Sequence, residues 1–439
     1  MERGVSARLR AAGTYAAAVG KWLAVSLLVG VLCGVVGAAF HTSVHIAAEL
    51  RAEWPWLLWG LPAAGLAIVG FYKLTKTGSL GTNDVFDAVN RDGTLPILLA
   101  PAIFLGTVLT HLCGGSAGRE GAALQIGGSI GQQTGRVLHL DRPDLRVATL
   151  CGMAGCFSAL FGTPLTAAVF AIMVVSVDAL YHAALLPCLL SALAAFRVAL
   201  VMGVEPARFT VSVPAAEAVC FLKTAALAAL CAAVSVLFCT VIHTVERWMH
   251  RRIPNPWLRV GVGGAAVIAM TCLVGSQDYN GVGMEIIAAA VEEGTVHPAA
   301  FLLKLLFTAV TLAAGFKGGE VVPSFFVGAA FGCAAGPLLG LPAGFSAALG
   351  LVSVFSGVTN CPVASIFLSV ELFGAEGLWC FALACGVSYM LSGYSGLYNS
   401  QTILYSKLKA QYVNAHTNDR RVGRETVEET AAPEMAEHT

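Results

Sequence analysis

Between Trp22 and about residue 393, the chain is a succession of apolar segments separated by short polar or glycine-rich stretches. The first segment, Trp22 to Phe40, is long enough to cross a bilayer as a helix, which takes about 20 residues. Of all residues 57% are hydrophobic and only 12% are charged, about half the ~25% usual in soluble domains. The sequence therefore predicts an all-α, polytopic protein of a cell membrane, and it excludes a soluble enzyme fold as the main body.

The two ends of the chain are polar. Basic residues precede the first apolar segment, at Arg3, Arg8, Arg10 and Lys21. Because positive charge favours the cytoplasmic side, we expect residues 1–12 to form a cytoplasmic N-terminus. We expect a last helix and a cytoplasmic, largely disordered tail in 399–439. Both ends inside the cell would require an even number of crossings.

Many later apolar segments hold only about 12–18 residues, which is short for a perpendicular span. Short segments interrupted by glycine and proline are typical of half-helices in transporters. Such irregular backbone is tolerated at membrane depth only inside protein or along an aqueous cavity. Broken and tilted helices are therefore expected.

The chain also contains an internal repeat. The stretch from Phe157 (FSALFGTPL) matches the stretch from Phe355 (FSGVTNCPV) at an offset of 198 residues, and Glu120 and Glu320 are 200 apart. The sequence therefore predicts two repeats of inverted topology, at 13–204 and 214–398. Repeats of broken apolar helices are typical of transporters that bind their substrate at the repeat interface.

Glu120 lies in a glycine-rich stretch, GGSAGREG, directly ahead of an apolar helix. A helix N-terminus stabilises anions through free N–H groups and the positive end of its dipole. The backbone at Gly118, Arg119 and Gly121 can therefore hold either a transported anion or the Glu120 carboxylate. Protonation of Glu120 would release it, so this residue could both gate and carry protons. The alternative is a helix-start glutamate paired with Arg119.

Glu320 occupies the matching place in the second repeat, in GFKGGEVVP. The same argument makes it a second gating and proton-transfer candidate, with Val321 and Val322 as backbone anion ligands. The alternative is a glutamate neutralised by Lys317.

The GREG loop, the GGEVVP loop and the two-repeat layout resemble the CLC family of chloride channels and anion/proton antiporters over about residues 20–405. The resemblance implies a homodimer with a separate anion pathway in each subunit. It also implies that Glu120 is the external gating glutamate.

Two departures from the common family pattern resemble its fluoride-exporting branch. Asn83 stands in GSLGTN, where most of the family has GSGIP, and Glu320 replaces a bulky apolar residue. Fluoride needs firm hydrogen-bond donors, such as an amide or a protonated carboxyl, to replace its water. Asn83 could instead be a helix N-cap. Val322 stands where members of that branch often carry a threonine, which removes one donor.

Other family antiporters carry an inner proton glutamate on the helix after the Phe-x-x-Pro motif. Here that place holds Val174, so Glu320 is the candidate for the inner proton carrier. No role is assigned to Glu371.

Aromatic residues complete the candidate anion site. In the family, a tyrosine near the last helix donates its hydroxyl to the anion, and Tyr398 fits this pattern better than Tyr394. The alternative is anchoring at the membrane surface. Phe86, one helical turn after Asn83, could line the site with its ring edge or only pack.

A rival of another class is an intramembrane hydrolase, because GGSAG around Ser116 fits G-x-S-x-G. That motif needs a preceding strand and a His–acid pair, and His111 has no obvious partner. A structural membrane protein would not explain glutamates at matched loops. No metal, cofactor, disulfide or nucleic-acid site is indicated.

The sequence thus predicts a proton-coupled fluoride exporter rather than an enzyme. Its partners would be fluoride or chloride, protons, the lipid bilayer and a second copy of the chain. The alternative is a chloride channel or chloride/proton antiporter.

Overall fold

The computed structural model describes residues 2–78, 80–91, 93–177, 181–215, 217–408 and 411–418, without the side chains of 2–12 and Asn414. These residues form sixteen α-helices and two short strands. The polar end at 419–439, which we expected to be a disordered tail, lies outside the described residues.

The helices fall into two sets of eight in chain order. The first set is α1 (Glu2–Glu53), α2 (Leu61–Leu74), α3 (Thr82–Asn90), α4 (Leu99–Leu112), α5 (Glu120–Val137), α6 (Arg142–Phe161), α7 (Pro164–Met173) and α8 (Leu185–Val201). The second set is α9 (Ala218–Arg252), α10 (Pro256–Val274), α11 (Met284–Ala288), α12 (Ala300–Ala314), α13 (Val321–Ala335), α14 (Ala343–Thr359), α15 (Pro362–Phe373) and α16 (Leu378–Leu391). Short 3-10 helices span Pro55–Gly60, His182–Ala184 and Gly336–Leu339, and a π-turn spans Ala289–Glu293. The order of helix lengths confirms the predicted two repeats of broken membrane helices.

Glycine contacts repeat between the two sets. A Cβ added at Gly127 would lie 2.1 Å from the carbonyl oxygen of Gly152, where α5 crosses α6. In the second set, a Cβ added at Gly328 would lie 2.4 Å from the carbonyl oxygen of Gly350, where α13 crosses α14. Small residues let membrane helices approach at backbone distance. The matched crossings therefore show that the repeat in sequence is a repeat in packing.

Seven of the described helices are long and apolar enough to cross a membrane, by length and composition, and six apolar helices hold only 10–17 residues. The prediction of short, interrupted segments is thereby confirmed. Neither α3 nor α11 is recognisable as an apolar segment in the sequence. Their sequences explain this, because α3 is amphipathic, with Asn83, Asp84 and Asp87, and α11 has only five residues.

A cluster of phenylalanines joins the two repeats in the core. Phe161 contacts Phe325 with ring centroids 5.9 Å apart, and Phe170 contacts Phe355 at 5.4 Å. Phe157 contacts Phe170 at 5.2 Å, and all five rings are buried. Phe157 and Phe355 are the first residues of the matched motifs. The repeated sequence therefore supplies apolar contacts between the two halves.

The expectation of a last helix in 399–439 is wrong for the described part of this segment. Instead, β1 (Thr402–Tyr405) and β2 (Tyr412–His416) form an antiparallel pair. Their β-branched and aromatic residues, in TILY and YVNAH, favour strands over a helix. The pair is anchored near the end of α7, since the amide of Val177 donates to the carbonyl of Thr402.

Candidate functional site

The two glycine-rich loops meet at the junction of the repeats. Gly118 and Gly319 form an antiparallel backbone bridge, with the Gly118 amide 2.7 Å from the Gly319 carbonyl and the Gly319 amide 2.8 Å from the Gly118 carbonyl. A Cβ added at Gly319 would lie 2.5 Å from the amide nitrogen of Gly121. Only glycine permits this approach, so the loop composition places the starts of α5 and α13 side by side.

Both glutamates stand at helix N-termini, as the sequence predicted. Glu120 is the first residue of α5 and is fully buried, whereas Glu320 is the N-cap of α13 and is partly exposed. Val321 and Val322 follow Glu320 as the first, fully buried residues of α13. The backbone N–H groups at both helix starts are therefore available to an anion at the junction.

The Glu120 carboxylate folds back onto its own helix start. Its Oε2 accepts a hydrogen bond from the Arg119 amide at 2.9 Å, and Oε2 also lies 2.6 Å from the position of an added Cβ on Gly118. Its Oε1 lies 3.6 Å from Arg119 Nε and has no hydrogen-bond partner among the described residues. The pairing with Arg119 considered from the sequence is therefore present.

The structure does not support the alternative in which Lys317 neutralises Glu320. Among the described residues no ion pair joins Glu320 to Lys317, because the Lys317 ammonium lies over the Tyr72 ring, 4.3 Å from its centroid. Glu320 lines a cavity of about 950 Å³, and Lys317 lines the same cavity. Glu320 thus faces space that water or an anion can occupy.

Asn83 is not a helix N-cap. The N-cap of α3 is Gly81, whose amide donates to Asp84 Oδ2 at 2.8 Å. Asn83 Oδ1 instead accepts a hydrogen bond from the Ser400 amide at 3.1 Å. Because its oxygen is used in this way, the Asn83 Nδ2 group is the one left to donate. Asn83 lines the same cavity as Glu320.

Tyr398 is the tyrosine that joins the site. Its ring is 2% exposed and lines the cavity, and its hydroxyl has no hydrogen-bond partner among the described residues. Its ring packs against Phe86 edge to face, with centroids 4.9 Å apart and an interplanar angle of 77°. Phe86 therefore packs behind the tyrosine and does not line the cavity. Tyr394 is not among the residues that line the cavity either.

Several residues of the site were missed from the sequence. Thr82 accepts a hydrogen bond from Gln125 Nε2 at 3.0 Å, and both residues line the cavity. His243 and Glu246, near the end of α9, also line it. A usable signal existed, because polar residues on an otherwise apolar helix, such as Gln125 and His243, mark a face turned away from lipid.

The structure gives the surroundings of Val174 and Glu371, the two residues to which the sequence assigned no part in transport. Val174, at the C-cap of α7, is fully buried, and no carboxylate replaces it there. Glu371 of α15 accepts the amides of Leu165 at 2.9 Å and Thr166 at 2.8 Å, so it caps the N-terminus of α7. A carboxylate is stabilised by free N–H groups in this position.

The serine of the G-x-S-x-G pattern is not arranged as a nucleophile. Ser116 Oγ lies 3.1 Å from Thr308 Oγ1, and its amide donates to Thr311 Oγ1. Helix α4, rather than a strand, precedes it, and neither ring nitrogen of His111 has a hydrogen-bond partner in the described chain. The geometry therefore gives the hydrolase alternative no support.

A family model described as voltage gated chloride channel matches residues 64–393. The chain is 35% identical over 402 residues to a chloride/fluoride channel protein of Pseudomonas syringae pv. tomato, covering 89% of this chain and 88% of that protein. It is 27% identical over 388 residues to the H(+)/Cl(-) exchange transporter ClcA of Vibrio cholerae, covering 80% and 81%.

Two solved structures are also similar to this chain. A crystal structure of a CLC-type fluoride/proton antiporter matches with a TM-score of 0.85 at 33% identity, over 88% of this chain and 98% of that chain. A slow cyanobacterial Cl-/H+ antiporter matches with a TM-score of 0.73 at 18% identity, over 94% and 98%, and shows a common fold. Because the family model matches more than half of the chain and the site has two glutamates at paired helix starts, the protein belongs to the voltage-gated chloride channel (CLC) family.

Proposed function

We propose that this protein is a proton-coupled fluoride exporter that moves fluoride out of the cell in exchange for protons. The observation that carries this proposal is the pair of carboxylates, Glu120 and Glu320, at the adjoining N-termini of α5 and α13. The relatives support the choice of anion, since one is described as a chloride/fluoride channel protein and another as a fluoride/proton antiporter.

Glu120 acts as gate and proton carrier in this scheme. As a carboxylate it occupies the helix-start site, where the Arg119 amide donates to it at 2.9 Å. Protonation removes the charge that holds it there, so an incoming fluoride can take the same backbone donors. The proton then travels on the side chain that the anion displaced. Competition for one site therefore couples the two fluxes.

Fluoride binding uses donors that face the cavity. The Asn83 amide, the Tyr398 hydroxyl and a protonated Glu320 can each give a short hydrogen bond to a small, basic anion. Glu320 must be neutral for this, because two ionised carboxylates and an anion at one junction would repel each other. A neutral Glu320 also holds the proton that continues inward in place of the carboxylate missing at Val174.

A chloride channel or chloride/proton antiporter is the second candidate, and the Vibrio cholerae relative favours it. Paired efflux assays distinguish the two. Proteoliposomes loaded with fluoride or chloride are diluted into anion-free buffer, and a selective electrode follows each anion while external pH is recorded. Fluoride efflux accompanied by proton uptake, with little chloride efflux, supports the exporter. Chloride efflux equal to fluoride efflux would overturn it.

The protein is further proposed to work as a homodimer in a cell membrane, with both termini in the cytoplasm. Basic residues support this orientation. Lys21, in the N-terminal half of α1, pairs with Asp144 in the first turn of α6, and α9 ends in Arg251 and Arg252. Positively charged helix ends favour the cytoplasmic side.

A further inference from the structure

His243 and Glu246 form a titratable pair in the wall of the cavity that contains Glu320 and Tyr398. The two side chains lie one turn apart on α9, with His243 Nδ1 3.9 Å from Glu246 Oε2. The His243 side chain is only 15% exposed, whereas that of Glu246 is 53% exposed. The pair therefore extends from the buried wall of the cavity to solvent.

The surroundings of the His243 ring suit a group that gains and loses a proton. Nε2 lies 3.0 Å from the carbonyl oxygen of Gly396, to which it can only donate. Nδ1 faces the carboxylate of Glu246. When Nδ1 is unprotonated, its lone pair is available to accept a proton. Once protonated, both ring nitrogens have an acceptor, and the imidazolium has a counter-charge.

The cavity lies on the side of the protein where protons must leave in the proposed exchange. Its rim includes Lys73, Lys76 and His250, and α9 ends nearby in Arg251 and Arg252. Basic residues at helix ends indicate the cytoplasmic side. Glu320 lines the same cavity, and the buried Val174 of α7 supplies no carrier. A proton released by Glu320 therefore enters a space lined by His243.

We infer that His243 is the inner proton relay of this transporter, with Glu246 as its counter-charge; this rests on the proposed fluoride/proton exchange. The O–H bond of protonated Glu320 breaks, and its proton passes, through water in the cavity, to Nδ1 of His243. Glu320 becomes a carboxylate and the imidazole becomes an imidazolium. The N–H bond at Nδ1 then breaks, and the proton passes to water at the exposed end of the pair. His243 is then neutral again, and Glu320 stays a carboxylate until the next proton reaches it from Glu120.

Charged groups around the pair come from three helices. Glu246 on α9 and Glu320 at the start of α13 line the same cavity as His243. His250 on α9 and Arg259 on α10 line it as well. Acidic side chains of two elements therefore stand in the cavity beside the ring, where they can serve as counter-charges to an imidazolium.

A structural role for His243 is the competing explanation, because its bond to Gly396 holds the segment that carries Tyr398. The variant His243→Gln separates the two roles, since a glutamine amide can still donate to the Gly396 carbonyl but cannot carry a proton. Purified, monodisperse variant and wild type are compared for fluoride affinity by calorimetry. In proteoliposomes, fluoride efflux and proton uptake are then measured at equal pH on both sides, between about pH 5 and 8, where histidines titrate.

We expect His243→Gln to bind fluoride with unchanged affinity and to slow coupled exchange about a hundredfold, the low end of general acid–base effects. The pH dependence of exchange should flatten, and added imidazole should restore part of the rate. His45→Gln is the matched control, because His45 forms a similar pair with Glu49, 3.4 Å apart, on the exposed surface of α1. This control should keep the wild-type rate and pH profile.

Two results would overturn the inference. If wild type exchanges fluoride for protons and His243→Gln keeps its pH profile without response to imidazole, then His243 only holds the Gly396 segment. If wild type moves fluoride with no proton uptake, then the proposed antiport fails and the relay fails with it. A Glu246→Gln variant gives a second measurement, in which loss of the counter-charge should shift the pH profile of exchange to lower pH.

Discussion

Gly118 and Gly319 exchange two backbone hydrogen bonds, of 2.7 and 2.8 Å, across the junction of the two repeats. This bridge joins the loops that open α5 and α13 and sets the distance between two positive helix ends. Neither helix start alone could stabilise two carboxylates and an anion. The bridge therefore turns two ordinary helix N-termini into one site, and it explains why the glycine-rich loops of the two repeats match.

The gate is tested by Glu120→Gln, which keeps the shape of the side chain but removes its charge and its titratable proton. Coupled proton uptake should be lost, while the fold and the oligomeric state are retained. Fluoride-driven proton movement is measured in proteoliposomes. The exposed Glu49→Gln serves as the control and should behave as wild type. Proton uptake that persists in Glu120→Gln at the wild-type rate would exclude the gating role.

Because Glu371 caps α7, its removal should lower the stability of the protein without changing transport. Glu371→Ala removes both acceptors from the amides of Leu165 and Thr166, so it should destabilise the protein by about 1–2 kcal/mol, the range for a lost helix cap. The measurement is the thermal unfolding midpoint in detergent. Glu376→Ala, exposed in the following turn, should leave the midpoint unchanged. A normal midpoint together with lost proton coupling would instead make Glu371 a proton carrier.

Sequence patterns predicted most of the helices and the starts of α5 and α13, because long apolar runs and glycine-rich helix starts are local features. They predicted a helix where the described chain forms β1 and β2, since these strands depend on pairing with each other and on the contact of β1 with Ser176 and Val177, after α7. They also assigned no role to Glu371, whose partners lie more than 200 residues away. The hydrogen bond between Asn83 and Ser400 was out of reach for the same reason.

Dimerisation with independent pathways predicts the behaviour of mixed dimers. Crosslinking in mild detergent should yield a dimer. A dimer that contains one wild-type subunit and one Glu120→Gln subunit should retain about half of the coupled exchange, because the two copies of an isologous dimer have separate sites. The complete loss of coupled exchange in the mixed dimer would show that the subunits share one pathway.

Glu320 is expected to donate a hydrogen bond to fluoride and to pass a proton inward. Glu320→Ala should therefore abolish proton-coupled fluoride transport. It should also weaken fluoride binding by about tenfold, because one hydrogen bond to an ionised acceptor is lost. Glu320→Gln is the matched variant, because its amide still donates but carries no proton, so it should bind fluoride and lose coupling. Fluoride-selective, proton-coupled exchange in Glu320→Ala would make Glu320 merely structural.

Selectivity between fluoride and chloride should depend on Asn83. In the structure its Oδ1 is held by the Ser400 amide, 3.1 Å away, and Asn83 lines the cavity, so we expect its Nδ2 group to donate to the anion. Asn83→Ser shortens the side chain and removes this donor, and fluoride, the stronger acceptor, should lose more affinity than chloride. We expect the ratio of fluoride to chloride efflux to fall about tenfold, since a hydrogen bond to an ionised group is worth about 1.5–3 kcal/mol and the stronger acceptor loses more of it. Asn90→Ser, at the far end of the same helix, is the control and should keep the wild-type ratio. An unchanged ratio in Asn83→Ser would leave Glu320 and Tyr398 as the side chains that select fluoride.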